Sequence, residues 1–307
     1  APSMGAVLHT INIRLFTEDL VHIINHAGDK VILIDPDLGP ILEPLAPQLE
    51  SVEHFIIMTD DRSFTTTLPS AHNYEDLLSE VSDEYSPVRV GENEPAGLCY
   101  TSATTGRPKG VIYSHRGIVL HSMMAAQVDS IGFRERDVVL PIVPMFHANC
   151  WGVPYTSALV GATQVLNGVR PNPEVICRFI DSEKVTLSLG VPTIWIGVLD
   201  HIERSGRDYD FSCLREIVSG GAAVPISLIQ AYKEKLDVNL VQAYGMTEAT
   251  PIISYNRPTS GFDSDSDGDK LQLAGTQGAM VPGLEMRLVD DETNDIPWDG
   301  DQRGELL

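Results

Sequence analysis

Apolar positions come in short runs split by polar, glycine-bearing stretches, and the period of the runs changes along the chain. Gly5 to Ile11 reads as a short strand, and Thr17 to Ala27 as an amphipathic helix with Glu18 and Asp19 in its first turn. Lys30 to Asp35 reads as a buried strand, so the opening is a strand–helix–strand unit. A further apolar strand, Val52 to Met58, follows a Pro-rich helical stretch, and alternation of this kind predicts a parallel sheet with helices on its faces. The expected fold class is α/β.

From Asn73 to Pro95 the chain turns acidic and polar, with prolines at Pro87 and Pro95, which predicts a surface connection and a subdomain boundary. We therefore expect a first α/β subdomain over residues 1–85 and a second over 86–307. In the second, strands are predicted at Gly97 to Thr101, Gly110 to Tyr113, Val138 to Val143, Ala162 to Leu166, Val185 to Leu189 and Leu240 to Gln242. A helix begins near His115, and helices separate most of the later strands. Gly261 to Lys270 is a low-complexity acidic segment whose Asp263, Asp265, Asp267 and Gly268 imitate the start of a calcium loop. Twelve-residue counting puts Ala274 where a bidentate glutamate should stand, so a solvated loop is expected instead.

Composition narrows the function classes. The 43% hydrophobic content and 7% aromatics are those of a globular protein, and no apolar run approaches the roughly 20 residues of a membrane span. With 43 acidic against 21 basic residues the net charge is -22, which repels nucleic acid and anionic lipid over long range. Backbone N–H groups, local cations and Mg2+ can still override that field at one site. Cys99, Cys150, Cys177 and Cys213 show no zinc or redox spacing and are expected to be reduced, mostly buried thiols. The opening residues lack the basic and long apolar regions of a signal peptide, so the chain is expected to start within a domain, in the cytoplasm.

The densest chemical signal is Tyr100-Thr101-Ser102-Ala103-Thr104-Thr105-Gly106-Arg107-Pro108-Lys109-Gly110, with four hydroxyls between two predicted strands. Small polar residues let N–H groups and hydroxyls approach phosphoryl oxygens, while Lys109 and Arg107 offset their charge. The pattern GxxxxGK[ST] does not fit, because Lys109 follows Pro108 and precedes Gly110, so an ordinary P-loop is disfavoured. A hydroxyl-rich hairpin turn is the bland alternative. The segment resembles the signature loop of the AMP-forming adenylating superfamily, which includes acyl-CoA synthetases, luciferases and peptide-synthetase adenylation domains. One position departs: where that family usually has glycine, this chain has Ala103, for which positive φ costs roughly 1 kcal/mol or more.

Three further segments carry the resemblance. Tyr244-Gly245-Met246-Thr247-Glu248 is similar to the family's second signature. There the tyrosine stacks on adenine, the threonine contacts phosphate and the glutamate holds Mg2+, with Thr101 as the implied hydroxyl partner. Ser219 to Pro225 resembles a glycine-rich strand exit beside the base, with Gly221, Gln242 and Ala243 as matched positions. Val143-Pro144-Met145-Phe146-His147-Ala148-Asn149-Cys150-Trp151-Gly152 resembles the fatty-acid and methylthio-alkanoate CoA ligases more than amino-acid adenylating domains. In that branch the tryptophan gates an acyl tunnel and the histidine lies beside the carboxylate.

The resemblance implies the large N-terminal domain of an adenylating enzyme, made of stacked α/β subdomains with part of a β-barrel, truncated at both ends and without the C-terminal lid domain. It implies ATP-dependent adenylation of a medium- or long-chain fatty acid followed by thioesterification to CoA. Lys109, Thr247, Glu248 and His147 would be catalytic. Thr101, Ser102, Thr104, Thr105, Gly106, Gly221, Gln242, Ala243, Tyr244, Gly245 and Thr247 would bind ATP. Trp151 and Ala148 would form the gate, and Thr101 and Glu248 the Mg2+ site. The implied partners are a small carboxylic acid, ATP and CoA, with a homodimer left open. The alternatives are a 3-(methylthio)propanoate-type ligase, a luciferase-like or peptide-synthetase branch, and a non-catalytic nucleotide-binding fragment.

Overall fold

The computed structural model describes residues 1–101, 106–168, 171–257, 259–263 and 265–307. The chain divides into two compact units, residues 1–117 with 145–149, and residues 118–144 with 150–307. This division lies later than the expected 85/86 boundary. Strand Pro95–Tyr100 pairs in parallel with Leu8–His9, and Leu98 and Tyr100 join the apolar cluster of the first unit. The strand pair flanking the phosphate loop therefore belongs with the N-terminal residues.

In the first unit, strands Val31–Ile34, His54–Ile57 and Ala71–Asn73 form a parallel sheet. Successive side chains alternate between faces, so Ile32, Ile34, Phe55 and Ile57 point into the core with Leu20, Ile23 and Ile24 of helix Thr17–Ala27. Val31 and Leu33 stay exposed, so the strand expected to be buried is covered on one face only. The helix ends as its apolar spacing ends. Gly28 takes the left-handed conformation at φ 72° and its N–H caps the carbonyls of Ile24 and Asn25.

The second unit is built on a seven-stranded sheet. Five strands are parallel, in the spatial order Thr163–Gln164, Val138–Pro141, Leu187–Gly190, Glu216–Ser219 and Asn239–Gly245. Ile252–Tyr255 and Ala279–Met280 extend it antiparallel. Alternation again sorts the side chains. Leu140, Ile142 and Ile217 pack with Ile176, Trp195, Val198 and Tyr232 of the covering helices, while Val139, Val143, Leu187, Leu189 and Val218 face the opposite core with Met124, Cys150 and Val153. Both faces are thus buried, which explains why these strands read as nearly continuous apolar runs.

The acidic segment corrects the loop expected over Gly261 to Lys270. A helix spans Asp267–Ala274, because Ser266 caps its start: Ser266 Oγ accepts from the Asp269 N–H at 3.2 Å and donates to Asp269 Oδ2 at 2.6 Å. Cys99, Cys150 and Cys177 are buried and Cys213 is exposed, all four as free thiols. Burial pushes the Cys150 and Cys177 thiols up to about 12.

Candidate active site

The topology of the second unit marks where a ligand would sit. Its first strand in chain order, Val138–Pro141, has the second, Thr163–Gln164, on one side and the third, Leu187–Gly190, on the other. The winding reverses there, and in open parallel sheets the crevice at the carboxyl ends of the strands beside such a reversal receives ligands. Ser219 and Gly190 are register partners at that edge, as are Ser219 and Gln242.

The chain leaves strand Glu216–Ser219 through Gly220 and Gly221, whose lack of side chains is enforced. A Cβ on Gly220 would meet the Ala243 carbonyl oxygen at 2.7 Å and Trp151 Cη2 at 3.4 Å. Gly221 holds φ 78°, and a Cβ there would meet Val191 Cγ1 at 3.4 Å and Trp151 Cζ2 at 3.8 Å. The indole therefore lies along the glycine pair. Gln242 shapes the same exit: its Oε1 accepts from the Val224 N–H at 2.6 Å and its amide donates to the Thr276 carbonyl at 2.9 Å. Ser219 Oγ is buried and finds no hydrogen-bond partner among the described residues.

The segment that presents Trp151 is strained. Ala148, Asn149, Cys150, Trp151 and Gly152 hold φ of 46°, 49°, 57°, 53° and 71°, a left-handed turn in which only the last residue is glycine. Each non-glycine residue costs roughly 1–2 kcal/mol in this region, so the turn persists only because its surroundings over-determine it. Within the first unit the Asn149 N–H donates to Cys99 Sγ at 3.3 Å, and its side-chain amide donates to Thr10 Oγ1 at 3.1 Å and to Cys99 Sγ at 3.3 Å. Gly97 leaves room, since a Cβ there would stand 2.7 Å from Asn149 Oδ1. Within the second unit the Cys150 thiol donates to the Val143 carbonyl at 2.9 Å. The sequence marks Asn149 only as part of the branch-specific segment, and its long-range partners leave no local signal.

His147, one residue before the turn, packs tilted against Phe146 at 4.8 Å between ring centroids, and the Arg14 guanidinium lies over the Phe146 ring at 5.5 Å. The imidazole keeps a solvent-facing surface while its neighbours crowd the remainder. That crowding first, and the Arg14 charge second, lower its pKa below the ordinary 6.5.

The phosphate loop leaves the first unit's sheet at Tyr100 and returns at Gly110, its register partner, and the Thr101 N–H donates to the Lys109 carbonyl at 2.9 Å. Gly106 holds φ 93°, and Arg107 and Lys109 are exposed. Ser102, Ala103, Thr104 and Thr105 lie outside the described residues. In the second unit Tyr244 is half-buried and Glu248 exposed, in a 3-10 turn Thr247–Ala249 that follows strand Asn239–Gly245. Gly245 is the only residue type that fits there: a Cβ would meet the Pro251 carbonyl oxygen at 2.4 Å. Among the described residues no group of three His, Cys, Asp or Glu side chains is arranged to hold a metal. No helix among them is long and apolar enough to cross a membrane.

Comparison with known proteins shows the family and the fold. The family model for AMP-binding enzymes matches residues 1–307. A long-chain-fatty-acid–CoA ligase of Thermus thermophilus is 44% identical over 305 residues, covering 99% of this chain and 54% of the relative. A 3-methylmercaptopropionyl-CoA ligase of Ruegeria lacuscaerulensis is 41% identical over 308 residues, covering 100% of this chain and 57% of the relative. The chain thus spans about half the length of the curated relatives it matches. Among solved structures, an anthranilate CoA ligase in complex with anthranoyl-AMP superposes with a TM-score of 0.81 at 24% identity, over 96% of this chain and 53% of that one, which shows a shared fold.

Proposed function

The chain belongs to the AMP-binding enzyme family, and from that premise we propose that the protein carrying it is an acid–CoA ligase acting on a medium- or long-chain aliphatic acid. The observation that carries the choice of branch is the left-handed turn that lays Trp151 along Gly220 and Gly221 at the carboxyl edge of the sheet. Strain of that order is retained where a side chain must be held in one place. An aromatic gate on a glycine-lined exit suits an apolar acyl chain. The thioether acid of the Ruegeria relative is the second reading, since a methylthio group is apolar and of similar width.

In the reaction the acid's carboxylate oxygen attacks the α-phosphorus of ATP and pyrophosphate departs. The thiolate of CoA then attacks the acyl carbon and AMP leaves. Most of the protein's work is positioning and charge stabilisation. Lys109 opposes the negative charge of the phosphoryl oxygens, and the hydroxyls of Thr101, Thr104, Thr105 and Thr247 donate to them, with Ser102 and Gly106 giving close backbone approach. Tyr244 supplies an aromatic face for adenine beside the small residues Gly221, Ala243 and Gly245, while Gln242 braces the same strand exit through its bonds to Val224 and Thr276. In this reading His147 lies beside the acid's carboxylate, and Ala148 belongs with the gate.

Glu248 is the residue that would hold Mg2+, which supplies positive charge against the phosphates. An exposed carboxylate suits a hard cation that takes most of its ligands from nucleotide oxygens and water. The four free thiols fit a cytoplasmic location. ATP–pyrophosphate exchange tests the reading. Glu248→Gln should lower the exchange rate by about 10-fold or more and raise the Mg2+ concentration required. An unchanged rate with unchanged Mg2+ dependence contradicts the assignment.

A further inference from the structure

A second cluster stands at the root of the phosphate loop, entirely within the first unit. Tyr100 is buried at the end of strand Pro95–Tyr100, with its ring across Gly110. A Cβ on Gly110 would meet Tyr100 Cζ at 3.2 Å and the hydroxyl at 3.4 Å, so the glycine is what lets the ring lie over the loop's exit strand. The Tyr100 hydroxyl is hydrogen-bonded to His26 Nδ1 at 2.6 Å, and the His26 ring stands edge-on to the phenol at 5.9 Å. His26 projects from helix Thr17–Ala27. One turn earlier on that helix, His22 lies 5.4 Å from His26, and the Arg107 guanidinium donates to His22 Nδ1 at 3.4 Å. On another side of the phenol, the His9 ring lies 5.2 Å away, held by Asp29 through contacts of 2.8 and 3.0 Å. Burial first, and the Asp29 charge second, push the phenol's pKa up, so Tyr100 stays neutral.

We propose that Tyr100 and His26 are positioning residues for the nucleotide phosphates, acting through the phosphate loop. The Tyr100–His26 bond ties the loop's entry strand to helix Thr17–Ala27, and the Arg107–His22 contact ties its exit limb to the same helix. The two limbs that flank the loop are thereby tied to one helix, which presets where Thr101, Arg107 and Lys109 stand for the phosphates. Nothing in this cluster needs to touch ATP. The inference rests on the ligase reading for its consequence and on the first unit's geometry for its mechanism, and the two are separable.

The test uses the protein as its gene encodes it, with Tyr100→Phe, His26→Phe and His26→Gln. Amide hydrogen exchange over residues 101–110 and the ATP and acid dependence of adenylation are measured together. Both phenylalanine variants keep the packing and lose the bond. They should speed exchange over 101–110 by roughly 5-fold, the net effect of one ordinary hydrogen bond, and raise the KM for ATP by a similar factor with kcat and the acid's KM little changed. His26→Gln, which can still bond the phenol, should recover part of both effects. Exchange over 101–110 that matches the wild type in all three variants overturns the tie. Faster exchange with an unchanged KM for ATP overturns its role in nucleotide binding. A wild type that adenylates no acid sinks the ligase reading instead, and the amide exchange still decides whether the tie exists.

Discussion

Trp151 lies on Gly220, so closely that a Cβ on the glycine would stand 3.4 Å from the indole's Cη2 while pressing on the Ala243 carbonyl at 2.7 Å. The carbonyl cannot yield without moving strand Asn239–Gly245, so Gly220→Ala should push the exit loop and the indole together. Displacements near 1 Å at a reacting site cost on the order of 100-fold in rate. We expect the thermal midpoint to drop, as overpacking against backbone costs about 1–3 kcal/mol, and kcat/KM for adenylation, measured well below that midpoint, to fall at least about 10-fold. Retained kcat/KM would show that this contact does not shape the site.

His121 gives a pH dependence with a defined sign. Its imidazole packs against Gly152, where a Cβ would meet Cε1 and Nδ1 at 2.7 Å, and its buried Nε2 has no partner among the described residues. Burial lowers its pKa to about 4 from the ordinary 6.5. The folded state therefore refuses a proton that the unfolded state accepts. Stability from this group is complete above pH 6.5 and is lost as pH falls towards 4, by up to about 3 kcal/mol. Denaturant midpoints between pH 7 and 4.5 should drop less steeply in His121→Phe than in the wild type. Equal slopes would refute the buried neutral imidazole.

Asp137 and Arg215 tie the amino ends of two strands, at the edge opposite the proposed site. Arg215 donates to the carboxylate through Nε at 3.1 Å and Nη2 at 2.9 Å, and Thr186 Oγ1 and the Arg134 N–H add bonds of 2.7 and 2.8 Å. Burial works to raise the Asp137 pKa, and the bonds from Arg215 and Thr186 more than reverse it. This contribution is present above the ordinary carboxylate range and lost as pH falls below it. Arg215→Ala leaves a buried carboxylate unpaired and should cost about 3 kcal/mol in urea unfolding with adenylation kinetics unchanged. A loss of activity without a loss of stability would contradict that placement.

Much of the architecture was legible because local pattern and tertiary demand agree. The apolar runs of Val138–Pro141 and Leu187–Gly190 are those of strands buried on both faces, and Thr17–Ala27 carries its helical spacing up to its own glycine cap. The glycines of the signature segments were legible for a steric reason, shown by the Pro251 carbonyl that excludes any side chain from Gly245. What stayed hidden is non-local. Of the four residues Ala148, Asn149, Cys150 and Trp151 only asparagine favours positive φ, and their conformation is imposed by partners such as Cys99, Thr10 and Val143. Tyr100 and His26 stand 74 positions apart, beyond the reach of any periodicity. The helix Asp267–Ala274 is a different case: its Ser266 cap was there to be read, beneath a run of aspartates that suggested a loop.

The central claim, that this site activates an apolar carboxylic acid through a gate at Trp151, is tested most directly by kcat/KM for CoA-thioester formation across straight-chain acids, a methylthio acid and the common amino acids. The protein as its gene encodes it is compared with Trp151→Ala. Each buried methylene contributes about 0.8 kcal/mol, close to fourfold, so kcat/KM should climb with chain length until the tunnel is full and the profile should flatten in Trp151→Ala. Amino acids outcompeting every aliphatic acid would contradict the account, and an identical length profile in Trp151→Ala would remove the gate from it.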